Sequence, residues 1–278
     1  MIAGGVFAWG ALRYAANMST TTAFSHSHLR QHGFGADVDI PFSVLSDLAV
    51  LKAHRDYQAA KAGDISAAMN LVWDLAAMSI VEYTHRFPSH CIFVAPHAQE
   101  ASGDNAIPQV LAEVCALVRM ATADTDIVQT TRVFHTGADP MERMALRAQF
   151  EGAVLAQGQY VLVDDVSNMG GTLAELANYI YSHGGYVVGV MVLVNAGRSP
   201  HLKPDAKSIR KLETRYGHEI TQLFGIEPSA LTANEAHYLI GFRTIDEIRN
   251  RLAKARQETH LRLRSKGIGS EDPGQAAG

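Results

Sequence analysis

Two adjacent carboxylates stand just before a glycine turn near the middle of the chain. The stretch YVLVDDVSNMGGTL covers residues 160–173, so an apolar run ends in Asp164 and Asp165, and the turn Gly170–Thr172 follows. A parallel strand that leads through glycines into a helix presents free N–H groups at the helix N-terminus, where anions bind. Carboxylates repel a neighbouring phosphate unless they bind other groups of the ligand. Sugar hydroxyls and a divalent metal are suitable groups. The residues predict a phosphorylated-sugar site with Mg²⁺ nearby. The alternative is a corner whose aspartates only cap the helix.

The same spacing resembles the 5-phosphoribosyl-1-pyrophosphate (PRPP) motif of type I phosphoribosyltransferases, with a layout nearest to competence-protein-F-like members. In that family the acidic pair holds the ribose hydroxyls and the following loop wraps the 5′-phosphate. The resemblance implies that Asp164 and Asp165 bind the ribose and Mg²⁺, the metal directly or through water. It assigns the phosphate loop to Ser167, Asn168, Met169, Gly170, Gly171 and Thr172.

Two residues of this loop depart from the family pattern. Met169 stands where members usually carry Thr or Ser, so one hydroxyl donor is missing, and such a hydrogen bond contributes about 1.5–3 kcal/mol. Asn168 is neutral where some purine-salvage members place an aspartate that serves the base. We therefore expect weakened phosphate binding and no strong general base, and purine salvage is not supported.

A candidate catalytic segment, TTRVFHTGADPMERMALRAQFEG, lies upstream of the motif. It is similar to the corresponding segment of competence-protein-F-like members at Arg132, His135, Thr136, Arg143, Arg147 and Phe150. In phosphoribosyltransferases a loop from this region closes over PRPP and supplies cations to the pyrophosphate. The resemblance assigns this catalytic role to Arg132 and Arg143, because a guanidinium grips phosphate oxygens in pairs. The alternative is that both are surface arginines on an ordinary loop.

A candidate pyrophosphate loop lies earlier still, in the segment FVAPHAQEASGDNAIP. It follows a predicted strand and precedes a predicted helix, where the family has this loop. The resemblance implies that backbone N–H groups meet the pyrophosphate around Pro96, His97, Ala98 and Gln99. Asn105 is predicted to be a simple N-cap of the following helix.

Apolar runs and helical patterns alternate through the middle of the chain. Strands are predicted at residues 91–95, 126–133, 160–163 and 186–195, and helices at 107–120 and 172–183. Buried strands separated by helices imply a parallel sheet covered on both faces. The predicted fold class is α/β, a phosphoribosyltransferase-like parallel sheet flanked by helices. A helical hood is predicted over residues 42–87, and a C-terminal helical appendage over residues 206–224, 233–241 and 245–264.

Four parts are predicted along the chain. They are a loosely ordered N-terminal segment (1–40), a phosphoribosyltransferase-like domain that includes the hood (41–200), a C-terminal helical extension (201–264) and a disordered tail (265–278). Hydrophobic residues make up 47% and charged residues 19% of the 278 residues, which is typical of a globular protein. The net charge of −4 excludes a polyanion-binding surface over the whole protein.

The sequence predicts a cytoplasmic protein without membrane contact. Only two cysteines occur, Cys91 and Cys115, and each lies in an apolar run, so no disulfide framework is indicated. The first 17 residues lack the basic start of a signal peptide and favour an extended start before Met18 or a loosely packed element. No other segment approaches a transmembrane length.

The last predicted helix carries a basic face. Between Arg243 and Lys266 eight Lys or Arg residues stand against three acids, and Ile245, Ile248 and Leu252 belong to an apolar stripe. The basic face of residues 245–264 is a candidate for weak contact with nucleic acid or an acidic partner. The alternative is the solvated face of a packing helix.

Mg-PRPP, or a nucleotide that contains ribose 5-phosphate, is the expected ligand. The expected reaction transfers phosphoribosyl to or from a nitrogenous base. A non-catalytic sensor of PRPP or nucleotides is the second hypothesis. An accessory protein of DNA uptake or mobile elements, acting on DNA or a protein partner, is the third. The acceptor base and the oligomeric state stay open, with a homodimer among the alternatives.

Overall fold

A five-stranded parallel sheet forms the centre of the molecule. The computed structural model describes residues 29–97, 99–100, 103–131 and 139–265. The strands are β1 (Phe42–Leu45), β2 (Ile92–Val94), β3 (Gln99–Glu100), β4 (Gly103–Asp104), β5 (Thr122–Asp124), β6 (Val128–Gln129), β7 (Phe150–Glu151), β8 (Gln159–Ser167) and β9 (Tyr186–Asn195). The sheet order is β1-β9-β8-β2-β5, with parallel neighbours throughout, while β3-β4 and β6-β7 are short antiparallel pairs.

Helices cover both faces of this sheet. They are α1 (Leu48–Ala53), α2 (Tyr57–Lys61), α3 (Ile65–Tyr83), α4 (Ile107–Arg119), α5 (Pro140–Ala145), α6 (Gly171–Ser182), α7 (Ala206–Tyr216), α8 (Glu219–Phe224), α9 (Ala233–Ile240) and α10 (Ile245–Ser265). Helices α1 to α4 contribute to the core on one face, and α6 packs on the other. The α/β prediction, with a parallel sheet flanked by helices, is therefore confirmed.

The sheet order follows from the pattern of apolar residues. Strand β8 is central, and residues 160–163 are fully buried because apolar side chains point to both helical layers. Strand β9 lies beside it and is also apolar on both faces. Gly189 of β9 lies against the ring of Phe87, where a Cβ atom would come within 2.3 Å of a ring carbon.

The prediction of a helical pattern from residue 42 onward is wrong for Phe42–Leu45. These four residues form β1, which pairs with β9 at one edge of the sheet. A short apolar run can form either a helix or a strand. Here it forms a strand because it pairs with the edge of β9. Gly63, which has φ +101°, separates α2 from α3, and the Asp64 side chain accepts the N–H of Ala67 to cap α3.

Two other predicted elements differ from the structure. The strand candidate at residues 126–133 is a strand only at β6 among its described residues, and residues 132 and 133 lie outside them. The Asp124 carboxylate accepts the N–H groups of Asp126 and Ile127 and turns the chain between β5 and β6. The helix predicted at residues 206–224 is divided into α7 and α8 at Gly217, which has φ +51°.

The C-terminal helices have their own core, and this core includes α5. Leu212, Leu239, Ile248 and other apolar side chains of helices α7 to α10 pack with Met141 and Met144 of α5. At the other end of the described chain, residues 29–40 contribute the buried side chains of Arg30, Phe34 and Val38. Both terminal regions therefore pack on the sheet domain through buried contacts.

One described helix contradicts the prediction that no other segment reaches a transmembrane length. The span Ile65–Arg86 has 22 residues and is long and apolar enough, by length and composition, to cross a membrane. Its inner face includes Ala68, Leu71 and Ile80, which are fully buried in the core on one face of the sheet. Its outer face is also apolar, and only 33% of its most apolar part is buried.

Candidate functional site

A cavity of about 300 Å³ opens at the carboxyl end of β8. Its floor is formed by Asp164, Asp165 and the loop from β8 to α6. The hood contributes residues of α1 and α2, and the segment around Arg143 and Arg147 forms another wall. Glu235 of α9 also lines it, so the C-terminal helices are part of the site. Ligands of open α/β sheets bind at this end of the strands.

The predicted phosphate loop has the conformation of an anion site. Strand β8 continues to Ser167, and Gly170 takes φ +75°, a left-handed conformation that favours glycine, just before α6 begins at Gly171. Residues 167–172 all line the cavity, which brings the six predicted loop residues together with both aspartates. The N-terminus of the 12-residue α6 therefore opens at the same cavity as the carboxylates.

Asp165 is held by groups from three parts of the chain. Its Oδ2 accepts hydrogen bonds from Lys61 Nζ of α2 and from Asn105 Nδ2, both at 3.2 Å, and its Oδ1 accepts the N–H of Val166 at 2.8 Å. Asn105 also accepts the N–H of Ile107 at 3.3 Å, but the N-cap of α4 is Ala106, one residue after the position that the sequence predicts. These contacts orient a carboxylate that is only 5% exposed.

Asp164 lies in a different electrostatic environment. Its Oδ1 accepts the backbone N–H of Asp165 at 2.8 Å, and the residue lines the cavity. Burial raises the pKa of Asp164 well above its ordinary value, and the neighbouring charge of Asp165 raises it further. A cation or sugar hydroxyls at Asp164 would favour the ionised form and reverse this shift.

The raised pKa of Asp164 predicts that Asp164→Asn stabilises the ligand-free protein. The folded state binds this proton more tightly than the unfolded state, whose Asp pKa is about 3.9. The stability that protonation contributes is therefore lost as the pH rises from that value through the higher pKa of the folded state. We expect the Tm of the variant to exceed that of the wild type at pH 8, by at least about 2 °C. Calorimetric melts without Mg²⁺ from pH 3.5 to 8 should show the gap widening with pH, and a constant gap would contradict the assignment.

A buried ion network lies behind the loop. Arg30 is fully buried, and it contacts the carboxylates of Glu235 and Glu175 and donates to the carbonyl of Gly171. Arg147 donates to both oxygens of Glu175, at 2.6 and 2.8 Å, and to the carbonyls of Phe224 and Gly225. The network therefore joins the segment before β1, the start of α6 and two C-terminal helices.

Helix α9 anchors the carbonyls of the phosphate loop. The Thr232 hydroxyl, at the N-cap of α9, donates to the carbonyl of Met169 at 2.6 Å, and Asn234 Nδ2 donates to the carbonyl of Asn168 at 3.3 Å. In a trans peptide the N–H points opposite to the C=O. The N–H groups of Met169 and Gly170 therefore point away from α9.

Met169 has a structural role that its sequence position does not show. Its side chain packs on the C-terminal core formed by helices α7 to α10 and α5. This side chain therefore makes an apolar contact with the C-terminal helices. This explains why a methionine occupies the middle of a polar loop.

Of the two predicted catalytic arginines, the structure describes only Arg143. Arg143 lines the cavity on α5, where burial lowers the pKa of its guanidinium, although Glu142 acts in the opposite direction. The other predicted catalytic residue, Arg132, lies outside the described residues, together with His135 and Thr136. Arg147 lines the cavity but is engaged with Glu175.

The predicted pyrophosphate loop is brought to the cavity only in part. Pro96 lines the cavity. His97 is exposed, and its carbonyl accepts the N–H of Gln129 at 3.1 Å. Gln99 belongs to β3, where it pairs with Asp104 of β4. Ala98 lies outside the described residues.

The side chains at this site offer few ligands for a metal ion by themselves. Among the described residues, no cluster of three or more His, Cys, Asp or Glu side chains could hold a metal ion. Both aspartates line the cavity, and both oxygens of Asp165 already accept hydrogen bonds from protein donors. Proteins usually hold Mg²⁺ through one or two carboxylates together with substrate phosphates and water. The residues therefore fit Mg²⁺ that arrives with a phosphorylated ligand.

Comparisons with known proteins give two curated relatives. No family model matches the chain. Protein TraN of Escherichia coli is 35% identical over 223 residues, which cover 78% of this chain and 50% of TraN. An uncharacterized protein of Haemophilus influenzae (strain ATCC 51907 / DSM 11121 / KW20 / Rd) is 33% identical over 145 residues, which cover 51% of this chain and 32% of that protein. The chain thus spans half or less of the length of these relatives.

Proposed function

We propose that this chain binds Mg-PRPP, or a nucleotide that contains ribose 5-phosphate, in the cavity at the end of β8. One observation carries the proposal: two aspartates and the glycine turn at the N-terminus of α6 line one cavity of about 300 Å³. An anion site beside two carboxylates suits a ligand that carries both phosphate and hydroxyl groups. The cavity volume lies at the lower end of the range for small-molecule sites.

Each part of the cavity has a role in this proposal. The 5′-phosphate binds the N–H groups and the Thr172 hydroxyl at the start of α6. The ribose hydroxyls donate to Asp164 and Asp165, of which Asp165 is fixed by Lys61. Arg143 faces the pyrophosphate end of the ligand. Bound Mg²⁺ would supply positive charge to the pyrophosphate as it leaves.

The reaction we propose is transfer of phosphoribosyl to a nitrogenous base. A nitrogen atom of the base attacks the anomeric carbon, the bond from that carbon to the pyrophosphate oxygen breaks, and pyrophosphate leaves. Asn168 cannot act as a general base, so stabilisation of the leaving group has to carry the reaction. A sensor that binds PRPP without turnover uses the same cavity and is the second candidate, which the neutral Asn168 favours.

Ligand-dependent thermal stability tests the binding proposal. Mg-PRPP should raise the Tm more than equal concentrations of ribose 5-phosphate, pyrophosphate or phosphate, because a ligand stabilises in proportion to its affinity for the folded state. Asp165→Asn should remove most of the difference, and the matched change at the exposed Asp37 should leave it intact. Equal Tm shifts with PRPP and phosphate would mean that the site recognises only an anion and not the ribose.

Pyrophosphate release separates the transferase from the sensor. The protein is incubated with Mg-PRPP and a panel of purine, pyrimidine and pyridine bases, and pyrophosphate is measured. Release that depends on one base class, and is lost in Asp165→Asn, supports transfer. Binding without release for any base supports the sensor.

The location and the role of the basic helix also remain proposals. Cys91 and Cys115 are buried free thiols, and we propose that the protein works in the cytoplasm. In α10, Arg249 pairs with Glu219 and Asp246, and Arg251 pairs with Asp139. These two arginines of the basic face therefore form ion pairs within the molecule. For this reason we propose PRPP binding ahead of nucleic-acid binding.

A further inference from the structure

The outer face of α3 carries an exposed apolar stripe. It consists of Ile65, Met69, Trp73, Ala77 and Val81, spaced four residues apart. Ile65, Trp73 and Val81 are 66%, 64% and 59% exposed, and Met69 is 39% exposed. Residues four apart form a continuous ridge on a helix. Exposed apolar surface of this kind marks an interaction site.

We propose that a second copy of this chain covers the apolar stripe, in an antiparallel pairing of two α3 helices across a twofold axis. The stripe is symmetric about Trp73, with two apolar residues on either side. A twofold interface brings each residue against its mirror position, so the two Trp73 side chains meet at the axis and Met69 lies against Ala77 of the other copy. Ridges with a spacing of four pack into grooves of the same kind. The stripe is therefore complementary to itself.

The surroundings of the stripe favour a protein partner of this kind over a membrane. Ser66, Asn70, Asp74 and Glu82 are exposed polar residues in the row beside it, which the exposed Met78 interrupts. Asp74 lies 4.0 Å from Arg55, and its Oδ2 lies 3.3 Å from His54 Nε2. Helix α3 contains no Lys or Arg residue, whereas helices that lie on membranes carry many of them.

The composition of the stripe also fits a dimer interface. Stable interfaces bury about 800 Å² on each partner, with an apolar centre and a polar border. Aromatic side chains bury about 150–250 Å² each and dominate such centres. Trp73 at the middle of the stripe supplies that element, and the aliphatic residues beside it extend the contact. The proposal is independent of PRPP binding.

Sedimentation velocity of the 278-residue chain tests the pairing. We expect a dimer at micromolar concentrations, and at least tenfold weaker association for Trp73→Glu with an unchanged Tm. Leu155→Glu is the control, because Leu155 is 63% exposed and lies outside the stripe. A wild-type monomer at about 100 μM would overturn the proposal, as would a Trp73→Glu dimer.

Cysteine pairing tests the antiparallel register. In the double variant Met69→Cys/Ala77→Cys, oxidation should link two copies, since the two positions face each other across the axis. Met69→Cys alone should give much less linkage, and the native Cys91 and Cys115 are buried and should not react. Equal linkage in the single variant would contradict the register. Sedimentation with phosphatidylcholine–phosphatidylglycerol vesicles that depends on Trp73, in a chain that stays monomeric, would assign the stripe to a membrane.

Discussion

Replacing Arg30 by methionine should lower the free energy of unfolding by about 3–5 kcal/mol, because it leaves an uncompensated charge in the interior. Arg30 is fully buried between Glu235 and Glu175, whose side chains are 4% and 7% exposed. Arg147 still neutralises Glu175 in the variant, but Glu235 loses its charged partner. Methionine fills a similar volume, so the effect is mainly electrostatic.

Urea denaturation followed by circular dichroism measures this change. Arg55→Met is the matched control, because Arg55 is 77% exposed and should change stability by less than about 1 kcal/mol. Adding Glu235→Gln to Arg30→Met removes the orphaned charge and keeps the hydrogen bond to the Thr232 N–H. We expect the double variant to recover a large part of the loss. If Arg30→Met is as stable as Arg55→Met, the network does not hold the C-terminal helices on the sheet domain.

Replacing Thr232 by valine should weaken Mg-PRPP binding about tenfold and lower the free energy of unfolding by about 2–3 kcal/mol. The hydroxyl donates to the Met169 carbonyl and accepts the N–H of Glu235, and the residue is 1% exposed. Valine has nearly the same shape but leaves both groups without this partner. The peptide between Met169 and Gly170 then loses its anchor, so the loop N–H groups are less well positioned for phosphate.

Thr232→Ser separates positioning from packing. Serine keeps the hydroxyl and loses only a methyl group, so it should bind Mg-PRPP within about threefold of the wild type. Titration calorimetry of both variants, below their melting temperatures, provides the comparison. If valine and serine bind equally, the α9 anchor has no part in ligand binding.

The centre of the site could be predicted because its signals are local. The apolar run before Asp164, the glycines and the following helical pattern lie within 24 residues, and the structure has a strand, a left-handed Gly170 and a helix in that order. Strand β9 was also predictable, because its run is rich in valine, which favours strands, and it begins just after Gly185.

The supporting contacts could not be predicted because they join distant parts of the chain. Lys61 meets Asp165 across 104 positions, and Arg30 meets Glu235 across 205. No local sequence pattern indicates that Lys61 or Arg30 contacts a distant carboxylate. Arg30 also lies in a polar segment that the sequence alone predicts to be a loop. The capping box of Thr232 and Glu235 is a local feature, but the bond from Thr232 to Met169 depends on the packing of α9 against the loop.

The C-terminal helices change the extent of the site. The family resemblance covers residues 42–195, yet Thr232, Asn234 and Glu235 contact the loop or the ion network. The helices after residue 200 therefore hold the loop through the carbonyls of Met169 and Asn168. A chain that ends at residue 200 should lack a stable phosphate loop.

Calorimetric titration of PRPP with Mg²⁺ tests the central claim most directly. The wild type and Asp164→Asn/Asp165→Asn are titrated in parallel, and circular dichroism confirms that both are folded. We predict saturable binding near one ligand per chain in the wild type and its loss in the double variant. No binding by the wild type up to millimolar PRPP, or equal binding by both proteins, would contradict a phosphoribosyl site at the end of β8.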